Sequence, residues 1–155
     1  MARDEQALQS AVEQSASVLA AAGFPRMPAR VLMALLVADG GRTASELAEQ
    51  LGVSAAAISG AVRYLQSLGI IQRMSQPGTR RDRWEILDDA WYTALAGKNA
   101  TFAAFASIAD QAVEAIGDPD AVGARRTAEM AAFFRFFESR MPQLLAEWEE
   151  TRATG

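Results

Sequence analysis

The amino-acid sequence predicts a mainly α-helical fold with a single β-hairpin. Two short helices meet at a tight turn, the hairpin follows directly, and long helices lie on both flanks. Three observations carry this. Apolar residues recur at three- and four-residue spacing over most of the chain, the period of one helical face. Gly52-Val53 separates two short amphipathic stretches, each opened by a hydroxyl residue. The only strong strand signal is confined to residues 70–87, where two apolar runs enclose the turn-rich Ser75-Gln76-Pro77-Gly78-Thr79-Arg80-Arg81-Asp82.

The first helix spans Asp4 to Ala22, with Leu8, Val12, Ala16 and Leu19 on one face. Gly23 ends it, and Pro25 and Pro28 keep the chain from continuing. A second helix follows over about residues 28–38, with Pro28 suited to its first turn. Its run Val31 to Ala38 is apolar almost all round and reads as buried. After the turn Asp39-Gly40-Gly41, Thr43 opens a third helix. Thr43 and Glu46 have the spacing of a capping box, in which hydroxyl and carboxylate each take one free backbone N–H. Its inner face is Ala44, Leu47, Ala48 and Leu51, and Gly52 stops it. Ser54 caps a fourth helix running to about Leu68, with Ile58, Ala61, Val62, Leu65 and Leu68 inward.

Strands are expected at 70–74 and 83–87, joined by a basic tip. Asp88 or Asp89 then caps a long helix to about Ile116, with Gly97 a candidate kink. Gly117-Asp118-Pro119-Asp120 breaks it. A last helical region runs from about Asp120 to Thr151, carrying Met130, Phe133, Phe134, Phe137, Met141, Leu144, Leu145 and Trp148 at helical spacing. Pro142 is expected to kink or split this region, and residues 152–155 to fray.

Composition narrows the chemistry. The chain has 155 residues, half of them hydrophobic, enough for one domain or one core with an appended piece. It contains neither Cys nor His, which excludes disulfides, thiolate metal sites and His-based acid–base or nucleophilic catalysis. The paired acids Asp88-Asp89 and Asp118 with Asp120 fit helix N-termini, and Glu149-Glu150 falls near the chain end. No calcium-loop spacing is present, and Asp39-Gly40-Gly41 lacks the Lys-Ser/Thr of a phosphate loop. No catalytic residue, metal or cofactor is therefore expected. The longest uncharged run, Gln50 to Val62, is 13 residues, short of the ~20 that span a bilayer. The start, Met1 to Gln6, is charged where a secretory signal is apolar. A cytoplasmic chain without membrane contact is expected.

The helix-turn-helix points to nucleic acid, because in such units the second helix enters a DNA major groove. Its outward face here is Ala55, Ala56, Ser59, Gly60 and Arg63, small residues plus one long cation. Small side chains let a helix sink close to base edges. Ser59 can hydrogen-bond a base, and the alanine methyls can meet a thymine methyl. Arg63, a turn later, suits a base edge or a phosphate. Ser54 and Thr43, with Arg42 beside Thr43, place helix N-termini where phosphates dock. On the hairpin, Thr79, Arg80, Arg81 and Arg83 form a second probe, since a minor groove attracts arginine. Asp82 is placed to pair with a neighbouring arginine. The plainer alternatives are a pair of packed helices, a solvated turn, and a surface ion pair at Arg63.

At this point the residues meet a known family. The segment TASELAEQLGVSAAAISGAVRYLQSLGIIQRM, followed by PGTRRDRWEIL, resembles the winged helix-turn-helix of MarR-type transcriptional regulators. With GFPRMPARVLMALLVAD before it, and Trp91-Tyr92, Glu129-Met130, Phe133-Phe134 and Trp148-Glu149 after it, the chain looks most like the GbsR-like branch. The resemblance implies a homodimer on double-stranded DNA. Residues 1–22 would be an N-terminal dimerisation helix, 23–87 the winged DNA-binding domain, and 88–155 a C-terminal helical dimerisation region. It further implies a palindromic operator with half-sites about one helical turn apart. The expected role is a nucleoid-associated repressor relieved by a small effector. One departure stands out. The Asp-x-Arg signature of many such wings is replaced by Arg81-Asp82-Arg83, which leaves open which arginine enters the groove.

Trp84, Trp91, Phe102, Phe133 and Phe137 are candidate linings of an effector pocket. GbsR-like relatives respond to choline-type osmolytes, and aromatic rings can cage a quaternary ammonium. The competing reading of this cluster is dimer core. The alternative for the whole chain is a winged-helix protein–protein module, but such a module would show large apolar residues where Ala, Ser, Gly and Arg stand. Finally, a net charge of −4 and a pI near 4.9 argue at face value against a nucleic-acid partner. The charge is nevertheless divided: residues 23–87 hold eight arginines against five acids, and the remainder is acidic.

Overall fold

A computed structural model describes residues 4–155, so the first three residues of the charged start lie outside the described residues. The chain divides after Ala90 into two compact units. Helix α1, expected as a separate dimerisation helix, belongs to the same unit as the winged segment.

In the first unit, α1 (Glu5–Ala21) starts where the Asp4 side chain accepts Ala7 N–H at 2.9 Å. It buries Val12 and Ala16 and packs against α2 (Arg26–Leu36). Helix α2 begins two residues earlier than the prolines indicate. Pro25 precedes it, and Pro28 falls in the first turn, where its missing N–H has no intrahelical acceptor to lose. Residues 28–35 are buried except Arg30, which is half-buried.

A strand that the sequence does not announce, β1 (Arg42–Thr43), comes next. Then follow α3 (Ala44–Leu51), α4 (Ala55–Ser67), β2 (Ile71–Ser75) and β3 (Asp82–Ile86). The three strands form one antiparallel sheet in the order β1-β3-β2, with Thr43 and Met74 both opposite Arg83. Leu47, Ile58, Leu65, Val12 and Val31 are the largest fully buried side chains. Each contributes roughly 1.5–3 kcal/mol by leaving water, and together they join α1, α2, α3 and α4 around one core. The architecture is a winged helix.

The second unit is built from α5 (Ala90–Ile116), which runs unbroken through Gly97, and α6 (Val122–Thr154). Ala106, Ala109 and Ala131 form its buried centre, with Phe134 packed on them. Alanines on both helices let the backbones approach closely. Of the kink or split expected at Pro142, the split does not occur, since α6 continues through it. Proline removes the N–H that Glu138 O would accept, and Asn99 Nδ2 of α5 donates to that oxygen instead, at 3.5 Å. Nor is the end non-helical, since α6 reaches Thr154 and the Arg152 guanidinium lies 5.5 Å from the Tyr92 ring centroid. Among the described residues no helix is long and apolar enough to cross a membrane.

Candidate nucleic-acid interface

The two ends of α3 set up the site. At the start, Thr43 Oγ1 accepts Glu46 N–H at 3.2 Å and Glu46 Oε2 accepts Thr43 N–H at 2.8 Å, the capping box read from the sequence. The Thr43 N–H, more than the nearby Arg83 and Arg42 guanidiniums, holds the Glu46 carboxyl below its ordinary pKa, against a smaller desolvation effect. At the other end Gly52 adopts φ +64°, a conformation that favours glycine. Gly52 N–H and Val53 N–H close the last turn onto Glu49 O and Ala48 O. Ser54 Oγ then accepts Ala57 N–H at 3.2 Å and starts α4.

Helix α4 turns Ile58, Ala61, Val62 and Leu65 inward. Ala55, Ala56, Ser59, Gly60 and Arg63 are all exposed, as expected. A Cβ placed on Gly60 would meet nothing within 4 Å, so no packing inside the unit requires glycine there. Among the described residues Arg63 has no ion-pair partner, and its Nε donates to Ser59 O of its own helix at 3.5 Å.

The wing is β2, a loop and β3. Thr79 Oγ1 accepts Arg81 N–H at 3.3 Å, so this hydroxyl shapes the loop. Arg80 and Arg81 are exposed. Arg83 behaves differently. Its Nη2 and Nε donate to Gly41 O at 2.7 and 3.2 Å, and Nη2 lies 3.6 Å from Glu46 Oε2. Expected as a DNA contact, it is turned inward and ties the wing to the approach to α3. Asp82 pairs with Arg73 across the hairpin at 3.3 Å, not with a tip arginine.

These elements enclose an open groove of about 420 Å³. Thr43 at the start of α3, Ser59 and Arg63 on α4, and Arg81 on the wing all line it, so four of the expected contacts face one space. Ser54, Ala55, Ala56 and Gly60 lie on the exposed side of α4 beside it, and Arg42 is half-buried in β1. Ser45 and Gln66 also line the groove. The sequence reading missed both, although Gln66 continues the 59–63 spacing of the outward face.

The aromatic set is divided between the two units. Trp84 lines the groove of the first unit. In the second unit Phe102 and Phe133 each meet both Phe134 and Phe137, with ring centroids 5.4–5.8 Å apart. Trp91 is exposed. Phe133 and Phe136 still show 57% and 62% of their surface, which leaves an apolar face of α6 open. Among the described residues no cluster of acids could hold a metal ion.

In comparison with known proteins, both halves of the chain match models of one family. Residues 22–82 match a model described as MarR family. Residues 89–151 match one described as MmpR5-like MarR family transcriptional regulator. The HTH-type transcriptional regulator MmpR5 of Mycobacterium tuberculosis is 29% identical over 140 residues, 90% of this chain and 85% of that protein. A solved structure titled as a transcriptional regulator superposes with a TM-score of 0.80 at 26% identity, over 92% of this chain and 98% of that one.

Proposed function

This chain is a MarR family transcriptional regulator, and from that premise we propose that it represses transcription as a homodimer on a palindromic operator, released by a small effector. DNA binding goes with the family. The observation that carries the rest of the reading is the groove shared by Thr43, Ser59, Arg63 and Arg81. A helix with a shallow outward face and a wing bearing exposed arginines border one space, so major- and minor-groove contacts can be made together.

Dimerisation is supported by the open apolar face of the second unit, where Phe105, Ile108, Phe133, Phe136, Leu144 and Trp148 are about half exposed or more. Contiguous apolar surface of this kind marks association. A twofold dimer reads a palindrome with half-sites one or more helical turns apart. The effector reading rests on Phe102, Phe133 and Phe137, whose rings lie in one aromatic cluster of the second unit and can face a quaternary ammonium. Within the family, the GbsR-like branch is favoured by the segment 23–39 and by Trp91-Tyr92, Phe133-Phe134 and Trp148-Glu149. A cytoplasmic, nucleoid-associated location follows from the same proposal.

The test is operator selection from random duplexes with the full chain, followed by footprinting. Two protected half-sites about 10 base pairs apart, or a multiple of that, are expected. Recovery of no enriched sequence would refute operator recognition, and a single unpaired half-site would refute the dimeric mode.

A further inference from the structure

Arg30 stands alone among the buried residues 28–35 of α2. Its side chain is only 18% exposed, and its guanidinium is held on two sides. Nε donates to Glu13 Oε2 of α1 at 2.9 Å and Nη2 to Glu13 Oε1 at 2.7 Å, a two-pronged pair. Nη2 also donates to the Leu51 carbonyl at 2.9 Å. Leu51 is the last residue of α3. The last carbonyls of a helix have no intrahelical donor. Those of Ala48 and Glu49 are taken by Val53 and Gly52 N–H, and that of Leu51 by Arg30. One planar cation thus joins α1, α2 and the end of α3, next to the Gly52 turn that launches α4.

We infer that Arg30 is a positioning residue for DNA reading, fixing the turn that aims α4, with Glu13 orienting its guanidinium. The geometry explains why such a fastening matters. At ~1.5 Å per residue, Arg63 lies about 12 Å along α4 from Ala55. A tilt of about 5° at the turn therefore moves Arg63 by ~1 Å, enough to spoil hydrogen bonds to a base edge. A helix of eight residues ending on a glycine turn offers little stiffness of its own. Arg30 offers none of these engaged donors to DNA, so its effect passes through α3 and α4.

This role rests on the reading that α4 faces the operator, and the experiment separates the two. Affinities of the full chain are measured by fluorescence anisotropy on the selected operator and on a random duplex, across a salt series. For Arg30→Met, operator affinity is expected to fall about tenfold or more, the size of one lost base contact. Random-duplex affinity should stay within about twofold and the salt slope unchanged, because no phosphate contact is removed. Glu13→Gln, which leaves the Leu51 contact in place, should change affinity in the same direction but less, and it decides the matter if Arg30→Met does not fold. Equal losses on operator and random duplex would overturn the inference, as would no loss in a folded variant. A wild-type chain that binds both duplexes alike would refute the DNA reading itself, and the positioning role with it.

Discussion

Gly60 offers a perturbation whose effects on folding and on binding should carry opposite signs. It sits in the interior of α4, is exposed, and has open space where a Cβ would go. A glycine inside a helix is destabilising relative to alanine by about 0.8–1 kcal/mol, chiefly through backbone entropy. Since the added methyl meets nothing, Gly60→Ala should recover most of that, a rise of roughly 2–4 °C in Tm at this chain length. On DNA the methyl is not harmless. It would stand on the outward face between Ser59 and Arg63, where a closely seated helix has no room, and lifting α4 stretches every base contact it makes. Operator affinity should fall about tenfold or more, while random-duplex affinity, dominated by phosphates, should barely change. Thermal melts and anisotropy on the same preparation read both signs. If Gly60→Ala gains stability and keeps full operator affinity, α4 does not approach bases at this position. The argument from small side chains would then fail.

Four further outcomes follow from the same surface and its supports. Arg80→Ala with Arg81→Ala should flatten the salt dependence of binding by up to about 1.8 logarithmic units per wing, at ~0.9 per phosphate lost, whereas Arg83→Ala should leave the slope nearly unchanged and lower Tm; equal slopes for the two variants would contradict the inward placement of Arg83. Ser59→Ala or Arg63→Ala should cost ~1–3 kcal/mol on the operator, roughly 5- to 150-fold, if the residue reads a base, and a loss shared with random duplex would reduce it to a phosphate contact. Glu46 titrates below its ordinary 4.5 in the folded chain, so its support is present above that pH and is lost as pH falls through the depressed value. Glu46→Gln should therefore be less stable than wild type in urea melts near neutrality and converge with it in acid; a gap that persists unchanged in acid would deny the carboxylate this role. Sedimentation equilibrium at micromolar concentration should give twice the 16.6 kDa chain mass, and a monomer mass would refute the dimer.

The parts of the fold that could be read from sequence are those with a local cause. Gly52, the Thr43–Glu46 box, the Ser54 cap and the inward faces of α3 and α4 each follow from residues within a turn or two of each other. What stayed hidden depends on distant partners. Strand β1 has two residues, too few to show a period of two, and its pairing with β3 lies forty positions away. Pro142 read as a kink or a split, and the donor that meets Glu138 O, Asn99, belongs to another helix. Arg83 looked like a DNA contact by its company at the wing, and its further tie to Gly41 O shows only once a carbonyl forty-two positions away is placed beside it. Arg30 gave no signal at all, since an arginine in an apolar run is explained only once Glu13 and Leu51 O are placed beside it.

The acidic balance of the chain takes on a different meaning once charges are placed. Within the winged unit Glu46 is engaged by Thr43 N–H and Arg83, Asp82 by Arg73, and Glu13 by Arg30. Arg63, Arg80 and Arg81 are exposed, with no acidic side chain in ion-pair reach among the described residues, and two of the three border or line the groove with Thr43 and Ser59. The unpaired charge on α4 and the wing beside the groove is therefore positive, although the chain as a whole carries −4. Arg63, Arg80 and Arg81 are few cations for a duplex, however. Counterion release alone would then give weak, strongly salt-limited binding to arbitrary DNA. Most of the discrimination must come from how closely and how accurately α4 is seated, which is why a bare Gly60 on its outer face and a guanidinium fastening its launching turn matter more here than additional positive charge.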